Sequence, residues 1–168
     1  MTSTNIVPAK ILDRIAWSIA TGLGSGLAPV ASGTFGSAAA LVAWWLLGFH
    51  EYFATSVATR ILLIIALTAI GLWAGQKVID IQNDSDPKVV VVDEWAGMWI
   101  SALLLTPQSS IILWGASFFF FRLFDVMKPG PVGALEKLPG SFGVMADDLL
   151  AGIFALGCTT AVAMIFFS

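Results

Sequence analysis

The sequence predicts an all-α, polytopic membrane helical bundle with about five membrane-embedded helices and an N-terminal interfacial helix. Hydrophobic residues make up 58 % of the 168 residues, and Asp, Glu, Lys and Arg together only 11 %, whereas soluble domains average about 25 % charged residues. The mean hydropathy is +0.89. Because so few charges cannot cover the surface of a soluble globule, we predict one membrane-embedded domain over residues 1–168.

The predicted helices follow the apolar runs along the chain. Residues 8–20 are predicted to form the interfacial helix, because Ile11, Ile15 and Ile19 recur at helical spacing. Arg60 interrupts one apolar run near its start, and its long stem is expected to carry the charge to the interface. A spanning helix needs about 20 apolar residues, and runs that are candidates for one lie at 33–49, 53–74 and 149–167.

The apolar stretch 96–121 is predicted to be a helical hairpin. A single helix over this stretch would be about 39 Å long, which exceeds a hydrocarbon core of about 30 Å. Pro107 disfavours helix at the residue before it, and Ser109 or Ser110 is a suitable N-cap. We therefore predict helices at about 89–106 and 109–126, each about 27 Å long. One Pro-kinked helix is the alternative.

Charged residues fall on one side of this topology. That side holds the N-terminus and the loops 76–95 and 122–148, and with them every Lys and Arg except Arg60 and every Asp and Glu except Glu51. The positive-inside rule makes it the cytoplasmic side. The net charge of −3 argues against a nucleic-acid partner.

Three acidic groups stand at the charged ends of the predicted helices. Asp93 and Glu94 are adjacent. Acids favour a helix N-terminus, but one acid is enough for that role. A pair of carboxylates therefore fits a site for a hard cation better. Asp147 is either an N-cap or, with Asp148, a ligand. Asp125 completes a set of five carboxylates, which can hold one or two Mg²⁺ ions.

Two basic residues accompany these acids. Arg122 and Asp125 are three residues apart and share a helix face, and Lys128 follows the predicted helix. One interpretation is an intrahelical ion pair. The other is that Arg122 and Lys128 bind a phosphate, for which Arg offers a bidentate fork and Lys a point charge.

A small-residue motif, Gly33-Thr34-Phe35-Gly36-Ser37, begins the apolar run at 33–49. Exposed backbone N–H groups at a helix start attract anions, so Gly33, Thr34, Gly36 and Ser37 are candidate substrate contacts. Small residues also serve helix packing in membranes, and this alternative stays open.

The sequence excludes two kinds of nucleophilic catalysis. The only histidine, His50, lies on the opposite side from the acids, so no Ser-His-Asp arrangement is available. The only cysteine, Cys158, lies in an apolar run with no nearby base.

Four stretches together resemble the phosphatidylglycerophosphatase A family. They are Gly33–Ser37, Val92–Trp99, Phe121–Pro131 and Met145–Gly152, in the order in which the family has them. The resemblance implies a Mg²⁺-dependent phosphoric monoester hydrolase of the bacterial inner membrane, with its active site facing the cytoplasm. Its substrate would be phosphatidylglycerophosphate, which it would convert to phosphatidylglycerol and phosphate.

The predicted roles follow from this resemblance and from residue chemistry. Glu94 is our first choice as general base. Two other classes of function stay open, namely a small membrane cation transporter and a non-catalytic lipid-binding membrane subunit. The predicted catalytic residues are Asp93, Glu94, Asp125, Arg122 and Lys128; the Mg²⁺ ligands are Asp93, Glu94, Asp125, Asp147 and Asp148; and the substrate-binding residues are Arg122, Lys128, Gly33, Thr34, Gly36 and Ser37.

Overall fold

The structure, a computed structural model, describes residues 10–135 and 138–166, and this part of the chain contains helices and no strand. The prediction of an all-α fold is therefore confirmed for the described residues. In chain order the helices are α1 (Ile11–Ala20), a 3₁₀ turn (Ser25–Leu27), α2 (Ser32–Leu47), α3 (Glu51–Thr55), α4 (Val57–Gln82), α5 (Val92–Ser101), α6 (Ile111–Met127), α7 (Pro131–Leu135) and α8 (Ser141–Phe166).

Two of the described helices, α4 and α8, are long and apolar enough to cross a membrane. Each has 26 residues, which at about 1.5 Å per residue gives about 39 Å. Large apolar side chains on both point outward, such as Leu62 on α4 and Ile153 on α8. The chain is thus a membrane protein by composition and exposed surface, but the predicted count of about five spanning helices is not confirmed.

The middle of the chain forms the predicted hairpin. Helices α5 and α6 are separated by a non-helical segment around Pro107. The hydroxyl groups of Ser101 and Ser117 are 2.8 Å apart, which brings the end of α5 alongside the second turn of α6. Ser110 accepts a hydrogen bond from the N–H of Ile112 as the N-cap of α6. The alternative of one kinked helix is therefore wrong.

The first helix of the hairpin is much shorter than the predicted 89–106. With 10 residues, α5 is about 15 Å long, half of a hydrocarbon core. It begins late because the N–H of Val91 donates to the carbonyl of Ala20 and not to a helical partner. It lies among α2, α4, α6 and α8, so neighbouring helices rather than lipid surround it.

Arg60 is buried and does not reach the interface, so that expectation is wrong. Its side chain donates to the carbonyls of Phe53 at 2.9 Å, Ala54 at 2.7 Å and Leu103 at 2.9 Å. Carbonyls at helix ends lack helical partners, and a guanidinium carries five N–H donors. Arg60 therefore satisfies the backbone where α3 and α5 end, on the side of the fold remote from the acids.

Helix α8 begins at Ser141, eight residues before the predicted span 149–167, whose last two residues lie outside the described part. Its start is fixed against α4, because Ser141 donates its N–H to the Gln76 side chain at 3.1 Å and its hydroxyl to the carbonyl of Leu72 at 2.9 Å. Asp147 consequently lies inside the helix, and its predicted role as an N-cap is wrong.

The N-terminal helix is present as α1, with residues 8–9 of the prediction outside the described part. Trp17 and Ala20 pack against Val78 of α4, whereas Ile11 and Leu12 are exposed. An exposed apolar edge suits a membrane surface, and the interfacial location stays a prediction.

Helices α5 and α8 cross at two glycines. A Cβ added to Gly152 would overlap the carbonyl oxygen of Gly97, and a Cβ on Gly97 would overlap the carbonyl oxygen of Asp148. The close backbone approach places the acidic turn of α8 beside the first turns of α5.

Replacing Gly152 by Ala is expected to lower the thermal unfolding midpoint in detergent, because an added methyl group in a filled contact costs about 1–3 kcal/mol. Gly157→Ala is the matched control, since a Cβ at Gly157 on the same helix meets nothing within 4 Å. Its midpoint should stay or rise, because Ala favours helix over Gly by about 1 kcal/mol. Equal midpoints for the two variants would contradict the crossing.

Candidate active site

Three helices bring the five predicted acids to one cavity of about 560 Å³. Asp93 and Glu94 lie in the first turn of α5, Asp125 in the last turn of α6, and Asp147 and Asp148 two turns into α8. All five line the cavity, together with Lys128. The structure therefore gathers the predicted acids, while their roles as ligands stay predictions.

Asp93 and Glu94 lie in a buried environment at the start of α5. Burial, with further contributions from Asp125 and Asp147, raises the pKa of Asp93 to about 8. The pKa of Glu94 is raised well above its ordinary value, mainly by burial and further by the negative charge of the neighbouring Asp93. Both shifts show that the site disfavours more negative charge, and a bound cation would relieve this.

Two carboxylate oxygens in this environment have no hydrogen-bond partner among the described residues. They are Oδ1 of Asp93 and Oε2 of Glu94, and both are buried. A buried polar atom without a partner is costly, so each is a candidate for a ligand. The donor set consists of carboxylate oxygens alone, which is the chemistry that Mg²⁺ prefers.

The two basic side chains are held by acids. Arg122 bonds to Asp125, lies 3.6 Å from Oε1 of Glu94, and donates to the Ser37 hydroxyl at 3.3 Å. The ion-pair interpretation of Arg122 and Asp125 is thus confirmed as a contact, and a phosphate role stays a prediction.

Lys128 lines the cavity and directly follows the last residue of α6, whereas Arg122 is not among the lining residues. Its Nζ donates to Oδ2 of Asp147 at 2.8 Å. In this geometry, no three acidic, His or Cys side chains of residues 10–135 and 138–166 form a group that could hold an ion. Asp125 and Asp147 are paired with the two cations instead.

The glycine motif lies within the first two turns of α2 and packs against Glu94. A Cβ on Gly33 would overlap Oε1 of Glu94, and one on Gly36 would come within 2.7 Å of Oε2. Ser37 donates its hydroxyl to the Gly33 carbonyl at 2.8 Å. These three residues therefore meet the site through Glu94 and Arg122. Thr34 is exposed and does not line the cavity.

The cavity has further lining residues that the sequence analysis did not single out. Ser32 donates its hydroxyl to the carbonyl of Lys88 at 2.7 Å, which ties the loop before α5 to the start of α2. No motif marked this loop, because the contact joins residues 56 apart in sequence. The additional lining residues near it are Ser32, Ser85, Asp86 and Lys88.

Three known proteins are similar to this chain over most of its length. The chain is 33 % identical over 140 residues to a phosphatidylglycerophosphatase A of Escherichia coli K12, covering 83 % of this chain and 78 % of that protein. It is 35 % identical over 159 residues to the Haemophilus influenzae protein of the same name, covering 93 % of each. A Bacteroides thetaiotaomicron protein, provisionally named a phosphatidylinositol-3-phosphatase, is 40 % identical over 139 residues, or 82 % of this chain and 86 % of that protein.

The fold, the site and these relatives define a membrane-associated phosphoric monoester hydrolase. The sequence model of the family described as phosphatidylglycerophosphatase A matches residues 18–163. The chain belongs to that family, and the predicted resemblance to it is confirmed. No solved structure matches the chain.

Proposed function

We propose that the protein hydrolyses phosphatidylglycerophosphate to phosphatidylglycerol and phosphate with Mg²⁺ at the cytoplasmic face of a bacterial inner membrane. The observation that carries the proposal is the single cavity on which five carboxylates from three helices meet two basic side chains. Membership of the family and the names of two relatives support the substrate.

Asp93, Glu94, Asp125, Asp147 and Asp148 would hold the Mg²⁺. The unpartnered Oδ1 of Asp93 supports this assignment, because it is a buried oxygen with free coordination capacity. When bound, Mg²⁺ supplies Lewis-acid polarisation of phosphoryl oxygens and lowers the pKa of a bound water.

Arg122 and Lys128 would bind the phosphoryl oxygens. Both basic groups reach acids of the cavity, so a phosphate placed among those acids lies within their range. The Arg fork can hold two oxygens and Lys a third, which neutralises charge as the bond to phosphorus breaks.

Glu94 is our choice of general base. The glycines at positions 33 and 36 leave room for its carboxylate, and Arg122 approaches only its Oε1. Its other oxygen, Oε2, is available to take a proton from water. A pKa raised by burial brings the group nearer to neutral pH, where a general base works best.

The membrane arrangement is part of the proposal. Helices α4 and α8 would cross the bilayer. The end of the fold that contains the cavity would face the cytoplasm, because the predicted topology places every Lys and Arg except Arg60 at that end. Lys137 lies outside the described residues. The acyl chains would stay in the bilayer while the head group enters the cavity, and residues 1–168 would form one domain.

The two other classes predict different sites. A cation transporter needs ligands near the middle of the membrane with access to both faces. Here the acids share one cavity, and the far end holds Arg60 bound to backbone carbonyls. A lipid-binding subunit has no need of five carboxylates. Hydrolysis of phosphatidylinositol 3-phosphate is the second candidate function, favoured by the 40 % identical relative.

Phosphate release by the purified protein tests the proposal. With phosphatidylglycerophosphate and Mg²⁺ we expect turnover, and EDTA should lower the rate at least about 100-fold, because the loss of a catalytic metal removes several kcal/mol of transition-state stabilisation. Restored Mg²⁺ should restore the rate. Undiminished turnover in EDTA would contradict the metal, and turnover of phosphatidylinositol 3-phosphate alone would favour the second candidate.

A further inference from the structure

Lys88 stands at the mouth of the catalytic cavity. It is exposed, whereas the lining acids Asp93, Asp147 and Asp148 are buried. Within residues 10–135 and 138–166, its ammonium forms no ion pair, although Asp86 lines the same cavity. The described lining of the cavity thus contains two cations, Lys88 and Lys128, and Asp147 already holds Lys128. Arg122 lies behind the lining, where Asp125 holds it.

The backbone on both sides of Lys88 is fixed to the rest of the fold. Its carbonyl accepts the Ser32 hydroxyl at 2.7 Å, and the preceding Pro87 is buried. The N–H of Val90 donates to the carbonyl of Pro87 at 2.8 Å, and that of Val91 to the carbonyl of Ala20 at 2.8 Å. The side chain therefore leaves a fixed point at the cavity mouth, so less ordering is needed when it binds a ligand.

The proposed substrate carries two phosphates of different kinds. Its terminal phosphate is the monoester that is hydrolysed, and the phosphodiester that joins the head group to the diacylglycerol stays intact. The lipid named in the 40 % identical relative also combines a monoester with a diester. Because the monoester must reach the buried acids, the diester, on the lipid side of the head group, stays nearer the mouth.

We propose that Lys88 binds the phosphodiester of the lipid substrate and so selects lipids that carry a diester in addition to the terminal phosphate. This inference rests on the proposed function. A Lys ammonium suits a diester, which presents one negative charge and two non-bridging oxygens. Arg122 and Lys128, which reach the acids of the cavity, remain for the monoester.

Steady-state kinetics on phosphatidylglycerophosphate in mixed micelles at fixed ionic strength tests the subsite. Lys88→Gln is expected to raise KM about 10-fold while kcat stays within about two-fold of wild type, because the diester is bound equally in the ground and transition states. The inhibition constant of inorganic phosphate should change less than about two-fold. Lys88→Arg should restore most of the lost affinity.

Lys77→Gln is the matched control, because Lys77 is exposed on α4 and does not line the cavity. Its KM should stay at the wild-type value. An unchanged KM in Lys88→Gln would overturn the subsite, and so would an equal rise in Lys77→Gln, which would indicate general surface attraction. Failure of the wild-type protein to release phosphate from this lipid would instead overturn the proposed function.

Discussion

Replacing Asp93 by Asn is expected to lower kcat for phosphatidylglycerophosphate by about 10³-fold or more, equivalent to about 4 kcal/mol of transition-state stabilisation. The amide keeps the volume of the side chain but removes a negative oxygen ligand. The Oδ1 atom of Asp93 is buried and has no partner among the described residues, so a cation is the ligand that its position suits.

The same substitution should not weaken the fold. Burial and neighbouring acids raise the pKa of Asp93 to about 8, so a neutral side chain is favoured there. In EDTA we expect the thermal unfolding midpoint of Asp93→Asn to equal or exceed that of wild type. Loss of activity without loss of stability is the result expected when a residue serves catalysis at a cost to the stability of the fold.

Asp84→Asn is the matched control for Asp93→Asn. Asp84 is exposed and accepts a hydrogen bond from the N–H of Asp86, which an Asn can also accept. Its activity should remain at the wild-type level. Normal Mg²⁺-dependent turnover in Asp93→Asn would remove Asp93 from the metal site, and loss of activity with a lower unfolding midpoint would indicate a structural role.

Replacing Arg122 by Lys is expected to lower kcat/KM about 10- to 100-fold, or about 1.4–2.7 kcal/mol. Lys keeps the charge but loses the planar fork that holds two phosphoryl oxygens. In the structure one nitrogen, Nη1, meets Asp125, Glu94 and Ser37 together. The dependence on Mg²⁺ should change little, because Arg does not coordinate metal ions.

Arg14→Lys makes the same exchange on α1, away from the cavity, and should leave kcat/KM unchanged. If Arg122 serves only as the ion-pair partner of Asp125, Lys should largely replace it. Near-normal kinetics in Arg122→Lys, with an unchanged unfolding midpoint, would therefore contradict a phosphate role and leave Lys128 as the main phosphate contact.

The hairpin was predictable because its signals are local. Pro107 disfavours helix in the segment that joins α5 to α6, and Ser110 caps α6, so both signals act within a few residues of themselves. The length of α5 was not predictable in this way. Its start depends on a bond from Val91 to Ala20, and the carbonyl of Leu103 beyond its end is bound by Arg60. Such partners are distant in sequence, so apolar periodicity alone overestimates the helix.

The acids of the site were predictable because carboxylates are rare in apolar helices and costly there without a function. The role of the glycine motif was harder to predict. From the sequence, Gly33 and Gly36 were candidate contacts for an anion, whereas in the fold they make room for the Glu94 carboxylate. Lys88 carried no sequence signal, because its place at the cavity depends on a loop tied to Ser32. Side chains that join a site through loops need tertiary structure to be found.

Direct binding of a divalent cation tests the central claim that the carboxylates form a metal site. Mn²⁺, which takes the same oxygen ligands as Mg²⁺, can be titrated into the purified protein and followed by electron paramagnetic resonance. Wild type, Asp84→Asn and Arg122→Lys are predicted to bind Mn²⁺ in competition with Mg²⁺, and Asp93→Asn to bind it at least about 10-fold more weakly, a difference of about 1.4 kcal/mol. Binding by Asp93→Asn with the affinity of wild type would contradict the account.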